Sequence, residues 1–302
     1  MKRKERLAGC IIGGAIGDAW GSAYENASSK ISQNTFYLGK VEEKQPLWSF
    51  TDDTQFTLIT LEALLNTDRL TPEILASYFV QYYKRRKITG MGASTLKALQ
   101  ELEAGGHWSQ VGRSGEYAAG NGSAMRIAPF AFYEGYTRED IRNFCRITHR
   151  NDEAYVGALA VVLSIQQILN DKWNGKSSLI ELIVPHLPDT GVRDRLMELN
   201  ELRSSDVISD AAKLGTDGYV VNSIPFAIVC ASQVSKVGIE TMFEQIIHCG
   251  GDTDTNASIA GQIAGALIGE QKIPAALKER LTSVPGYEWL NKTVDRAKEK
   301  LN

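Results

Sequence analysis

Apolar residues along this chain recur at offsets of three and four. Leu58, Leu61, Leu64 and Leu65 line one helical face at that spacing, as do Leu75, Phe79, Tyr82 and Tyr83. Val156, Leu159, Val162 and Leu163 repeat the pattern, and Met242, Phe243, Ile246 and Ile247 repeat it again. One apolar stripe at a period near 3.6 predicts amphipathic helices. Strand signals are scarce: residues 35–38 and Tyr219–Val221 are runs too short to build a sheet. Pro46, Pro129, Pro185, Pro188 and Pro274 fall between periodic segments, where proline interrupts nothing. Lys172–Gly175 is a polar break, but composition does not change across it. The pattern predicts one compact all-α domain over residues 1–302.

A second period overlies the first. Gly9, Gly13, Gly17 and Gly21 step by four, and so do Gly261, Gly265 and Gly269. On a helix each set forms a smooth stripe, because i and i+4 share a face. Each helical glycine costs about 1 kcal/mol relative to alanine, and close helix–helix approach is the natural offset. The stripes predict that the two ends of the chain meet in the core; the alternative is that the first set lies partly in a loop.

Composition narrows the classes. The 302 residues carry 33 Lys and Arg against 36 Asp and Glu, a net charge of −3, and 43% are hydrophobic. That balance excludes disorder as the main state and offers no basic surplus for nucleic acid. Cys10, Cys145, Cys230 and Cys249 include no CxxC pair. They argue against a disulfide framework or a thiolate zinc site and point to a reducing, cytoplasmic setting. The basic start Met1–Arg6 precedes an apolar stretch, but Gly9, Gly13, Gly14, Gly17 and Asp18 break it before it reaches secretory character. No run approaches the ~18 apolar residues of a membrane span, so no membrane contact is expected. Oligomeric state is left open.

Two acidic clusters carry candidate chemistry: Thr51-Asp52-Asp53-Thr54 and Asp252-Thr253-Asp254-Thr255. Taken singly, either reads as a helix N-cap. A cap needs one such residue, however, and each cluster supplies four. Carboxylates gathered in one place repel unless cations sit among them. Hard oxygen ligands suit Mg²⁺ or Mn²⁺, and two divalent ions would neutralise four carboxylates. Gly120-Asn121-Gly122-Ser123-Ala124-Met125-Arg126 is either an anion-binding nest or an ordinary loop. Glu25 by itself reads as a surface carboxylate, His149 as a structural histidine, and Tyr219 as core unless a nucleotide binds, in which case it could stack on a base.

Together these segments resemble the ADP-ribosylglycohydrolase family over nearly the whole chain. The resemblance runs through Gly13–Glu25, Ser49–Thr54, Gly120–Pro129, Thr148-His149, Gly218–Ser223 and Gly250–Gly269. It implies an all-α fold with a central dinuclear metal cleft and two divalent cations, magnesium or manganese. It implies that Thr51, Asp52, Asp53, Asp252, Asp254 and Thr255 hold the metals. It makes Glu25 the acid that approaches substrate or water, with Glu25 or Asp53 taking the water's proton. It assigns Gly92, Gly120, Asn121, Gly122, Ser123 and His149 to the diphosphate and distal ribose, and Tyr219 to the adenine. Asn222 departs from the family's more usual Asp beside that position.

The implied reaction is removal of ADP-ribose from a modified protein side chain, with arginine the first expectation, by cleavage of the N-glycosidic bond. The expected partners are an ADP-ribosylated protein and ADP-ribose itself. Alternative functions are hydrolysis of free small ADP-ribose conjugates, or a non-catalytic ADP-ribose-binding module of the same fold.

Overall fold

A computed structural model of the chain describes residues 1–25 and 46–301. The strand signal at 35–38 lies outside them. The helices run α1 Arg3–Gly21, α2 Asp52–Asn66, α3 Pro72–Lys84, α4 Ala93–Glu103, α5 Arg138–Arg146, α6 Asp152–Leu169, α7 Leu179–Ile183 and α8 Gly191–Asn200. They continue as α9 Val207–Ala212, α10 Val220–Ser232, α11 Val234–Val237, α12 Ile239–Cys249, α13 Thr253–Ile268, α14 Ala275–Thr282 and α15 Tyr287–Lys300. Each periodic segment predicted from sequence falls inside one of them.

Local chemistry starts these helices where they start. Thr51 caps α2 by accepting from Asp53 N, and Thr71 caps α3 with Pro72 in its first turn. Thr137 and Asp140 form a reciprocal capping box on α5, and Asn151 caps α6 through Ala154 N.

The glycine stripes meet. A Cβ placed on Gly9 would lie 2.3 Å from the Gly265 carbonyl oxygen, and on Gly13 2.4 Å from that of Gly261. On Gly17 it would lie 2.1 Å from the Ala257 oxygen, and on Gly21 2.4 Å from the Thr253 oxygen. Numbers rise along α1 as they fall along α13, so the two helices are antiparallel with their backbones in contact. Gly269 does not extend the stripe: it ends α13 with φ +77°, a conformation that suits glycine.

Around this pair, α6, α10 and α12 pack on α13, and α2 and α15 pack on α1. Apolar residues from Leu7 to Ala297 join in one hydrophobic core.

Two further expectations are corrected. Val220 and Val221 open α10 instead of forming a strand, while Tyr219 makes only an isolated antiparallel bridge to Gly120. Pro225 sits inside α10. Helix α6 is long and apolar enough to cross a membrane by length and composition, yet 67% of it is buried within the protein. Core packing accounts for that composition. The described strands are a two-residue parallel pair, β1 Arg113–Ser114 and β2 His149–Arg150, with Arg113 opposite His149.

Candidate active site

Because α1 and α13 are antiparallel, the C-terminal end of α1 lies beside the N-terminus of α13. The N-terminus of α2 joins them, since Asp18 on α1 accepts from Thr51 N (3.1 Å), Thr54 N (3.1 Å) and the Thr51 hydroxyl (2.7 Å). Two helix starts thus converge, and their dipoles favour the carboxylates gathered there. The result is a cleft of about 540 Å³.

Asp52, Asp53, Asp252, Asp254 and Thr255 all line it, with Glu25 at its edge. Carboxylate oxygens of Asp18, Asp53 and Asp254 lie within 4.8 Å of one another, and so do those of Glu25, Asp252 and Asp254. Asp254 belongs to both groups. Asp53 Oδ2 accepts from the Thr255 hydroxyl (3.1 Å) and lies 3.3 Å from the Thr51 hydroxyl. Asp53 Oδ1 is buried and has no hydrogen-bond partner. A bare buried carboxylate oxygen among other carboxylates is what a cation would satisfy.

The electrostatics agree. Burial, and then the Asp18 charge, raises Asp52 to about 7. Burial, and then Asp252, raises Asp254 to about 9. Asp53 is held well above the usual range by burial and then Asp254. Burial raises Asp18 to about 6 against the hydrogen bonds from Thr51 and Thr54. Glu25 is raised by burial and then Asp252. Burial and mutual repulsion thus favour the protonated forms of these acids, and a divalent ion would compete with those protons. The donors are all oxygen, which fits magnesium or manganese.

The two readings of the acidic clusters prove compatible. Thr51 caps α2 and also touches Asp18 and Asp53. Asp252 occupies the N-cap position of α13 without capping it; its Oδ2 instead accepts from Asn121 Nδ2 at 2.7 Å.

Gly92, Gly120, Asn121, Gly122 and His149 also line the cleft. The nest expectation is corrected in part, because Asn121 N donates to Gly218 O (3.2 Å) and is not free for an anion. Ser123 is 1% exposed and its hydroxyl donates to Ala154 O (3.3 Å), so it turns away from the cleft. His149 is buried and held neutral, its pKa lowered to about 3 by burial and then by Arg126 and Arg113. Tyr219 is 46% exposed beyond the cleft lining, correcting its reading as core.

Sequence reasoning missed Asp18, Arg113 and Asp217. Asp18 carried a signal: a carboxylate within an apolar, glycine-striped helix must find buried partners. Arg113, the sole Arg or Lys among the described cleft-lining residues, carried none. Asp217 accepts from Tyr219 N (2.9 Å) and from Asn222 Nδ2 (3.2 Å), and Arg195 holds the other end of the Asn222 amide (3.0 Å).

A family model described as ADP-ribosylglycohydrolase matches residues 1–302. An uncharacterized protein of Archaeoglobus fulgidus is 26% identical, with 87% of this chain and 88% of that protein covered. The ADP-ribosylhydrolase ARH3 of Mus musculus is 26% identical over 94% of this chain and 88% of its own. The ADP-ribosylarginine hydrolase Tri1 of Serratia proteamaculans is 26% identical over 92% of this chain and 75% of its own. A solved structure described as an ADP-ribosylglycohydrolase-related protein complex shares the fold. Its TM-score is 0.72 at 24% identity, and 99% of both chains is covered.

Proposed function

The chain belongs to the ADP-ribosylglycohydrolase family and is an ADP-ribosyl hydrolase, and we propose that it frees protein arginine by cleaving the N-glycosidic bond to ADP-ribose with two divalent cations, magnesium or manganese. The observation that carries this reading is the pair of carboxylate groups sharing Asp254, each with oxygens within 4.8 Å. Thr51, Asp52, Asp53, Asp252, Asp254 and Thr255 would hold the ions. When bound, such ions neutralise the cluster and supply Lewis-acid chemistry at the sugar.

The protein's own groups divide the remaining work. Glu25 is the better general base. It sits at the cleft edge and its raised pKa brings it toward working pH. Asp53 is fully enclosed, and two hydroxyls already crowd one of its oxygens. Glu25 takes a proton from the water that attacks the anomeric carbon as the C–N bond breaks. Arginine leaves as guanidine and is reprotonated at once, because its pKa exceeds ~12. Arg113 and His149 bind the diphosphate beside the Gly120–Gly122 turn, and Tyr219 at the rim stacks on adenine.

Two further observations favour arginine. The cleft presents carboxylates beside the metal-type cluster, Glu25 and Asp252 among them, which attract a guanidinium. One relative, matched over 92% of this chain and 75% of its own, is named for ADP-ribosylarginine. The four free cysteines suit the reducing, cytoplasmic setting proposed for the protein.

The test is release of ADP-ribose from arginine-linked and serine-linked peptides with Mg²⁺, Mn²⁺ or EDTA. Release from the arginine peptide, lost in EDTA, is expected. Release from the serine peptide alone would overturn the linkage, and equal release in EDTA would overturn metal dependence. Asp254→Ala should remove turnover while leaving the helical circular dichroism intact.

A further inference from the structure

The geometry points to Arg126 as a positioning residue that, through Thr148, fixes His149 as an Nε2–H hydrogen-bond donor facing the cleft. The identity of the acceptor, a phosphate oxygen, rests on the function proposed above; the hydrogen-bond relay does not.

Arg126 is 2% exposed. Its guanidinium lies over the rings of Phe79 (5.1 Å) and Phe56 (5.8 Å), which hold it flat and dry. One nitrogen donates to Gly122 O. The other donates to Phe144 O (3.2 Å) and to Thr148 Oγ1 (3.0 Å). A guanidinium has no acceptor, so at this contact Thr148 Oγ1 must accept.

Thr148 is itself completely buried, and its Oγ1 lies 2.8 Å from His149 Nδ1. Two arrangements of hydrogen could fill that contact. If Nδ1 carried the hydrogen, Oγ1 would accept twice and its own hydrogen would be buried without an acceptor. Leaving a buried donor unmet forfeits its hydration with nothing in return. If Nδ1 is bare, the threonine hydrogen goes to it and every group is satisfied. The second arrangement wins.

A neutral imidazole with Nδ1 bare carries its one hydrogen on Nε2. That edge looks past two glycines: a Cβ on Gly120 would stand 3.2 Å from Nε2, and one on Gly122 2.9 Å from Cε1. The lack of side chains there keeps the N–H open to the cleft, which His149 lines. The same guanidinium grips the Gly122 carbonyl, so turn and imidazole are held as one unit. Arg113, in register with His149 across the β1–β2 pair, adds a positive charge beside the donor. An N–H beside a cation suits a phosphate oxygen.

The test combines ¹⁵N NMR of the histidine rings in the ligand-free protein with calorimetry on ADP-ribose, ADP and adenosine. Wild type is expected to show His149 with hydrogen on Nε2 and a hydrogen-bonded, bare Nδ1, unchanged from about pH 5 to about pH 8. Thr148→Val keeps the side-chain shape and removes the hydroxyl; it should shift the Nδ1 resonance and weaken ADP-ribose and ADP about tenfold. Adenosine binding should not change, and Thr148→Ser should restore both readouts.

A wild-type His149 with hydrogen on Nδ1 overturns the inference, as does a Thr148→Val protein that binds ADP-ribose at full strength. Should wild type bind no ADP-ribose at all, the proposed function fails, while the ring resonances still decide the relay. Arg126→Lys keeps a charge but not the fork, and should disturb the same Nδ1 resonance.

Discussion

Asp18 is a carboxylate with no exposed surface on a helix whose residues after Arg6 are otherwise apolar or glycine. It joins α1 to α2 by accepting two backbone N–H groups and one hydroxyl, so it also aims Thr51 at the metal-type cluster. Asp18→Asn offers one acceptor oxygen instead of two. It should weaken Mn²⁺ binding about tenfold or more by titration calorimetry, as loss of a group supporting metal ligands does; unchanged affinity would show that Asp18 is merely a cap. The raised acids also make stability depend on pH. Asp18, Asp52 and Asp254 are raised to about 6, 7 and 9 in the fold, against about 4 in an unfolded chain. Between about pH 4 and about pH 9 the folded metal-free cluster therefore holds more protons than the unfolded chain, and its contribution to stability falls as pH rises. Divalent cations compete with those protons, so their stabilising effect grows over the same window. Melting curves at pH 5 and pH 8, with EDTA or with Mg²⁺, should diverge more at pH 8. Asp254→Asn should shrink that divergence; an unaltered divergence would mean that this cluster is not its source. The chemistry of both acidic clusters was legible from their residue types. Asp18 was legible only as an acid in need of buried partners, because nothing in a single stretch of sequence names those partners.

At the scale of elements, the α1–α13 seam is the feature most open to a direct test. Gly13→Ala would push a Cβ to 2.4 Å from a backbone oxygen that cannot swing aside. It should cost about 3 kcal/mol or more in urea denaturation, at the upper end of overpacking. Gly92→Ala has nothing within 4 Å and should stay within about 0.5 kcal/mol. Equal effects of the two would refute backbone contact at the seam. The stripes were readable because a spacing of four is a property of one helix. Two details escaped that logic. Gly269 continues the spacing past the point where α13 stops, and Val220–Val221 has strand-like residues but begins a helix directly after Tyr219, which pairs with Gly120. Helix ends and short β-branched runs are decided by neighbours as much as by propensity.

At the scale of the molecule, the seam carries the site. It holds the first twenty-odd residues against the region from Thr253 to Ile268, and α6, α10 and α12 close around it. Amide hydrogens of α1 and α13 should therefore exchange last of all in native-state exchange mass spectrometry; faster exchange there than in α14 or α15 would contradict it. The sequence by itself determined the helical class, the positions of most helices, the stripe that lets two of them touch, and the residue types able to hold hard cations. These follow from short-range periodicity and side-chain chemistry, which act within a few residues. Tertiary structure alone decided which groups meet. Thr255 reaches Asp53 across 202 residues of chain, Asp18 completes a cluster that it does not adjoin in sequence, and Arg126 reaches His149 through Thr148. It also turned Ser123 away from the cleft and brought Arg113 into it. The physical reason is that a side chain's direction and partners depend on surfaces supplied from elsewhere in the chain. No local pattern records those surfaces, and they exist only once the apolar faces have packed.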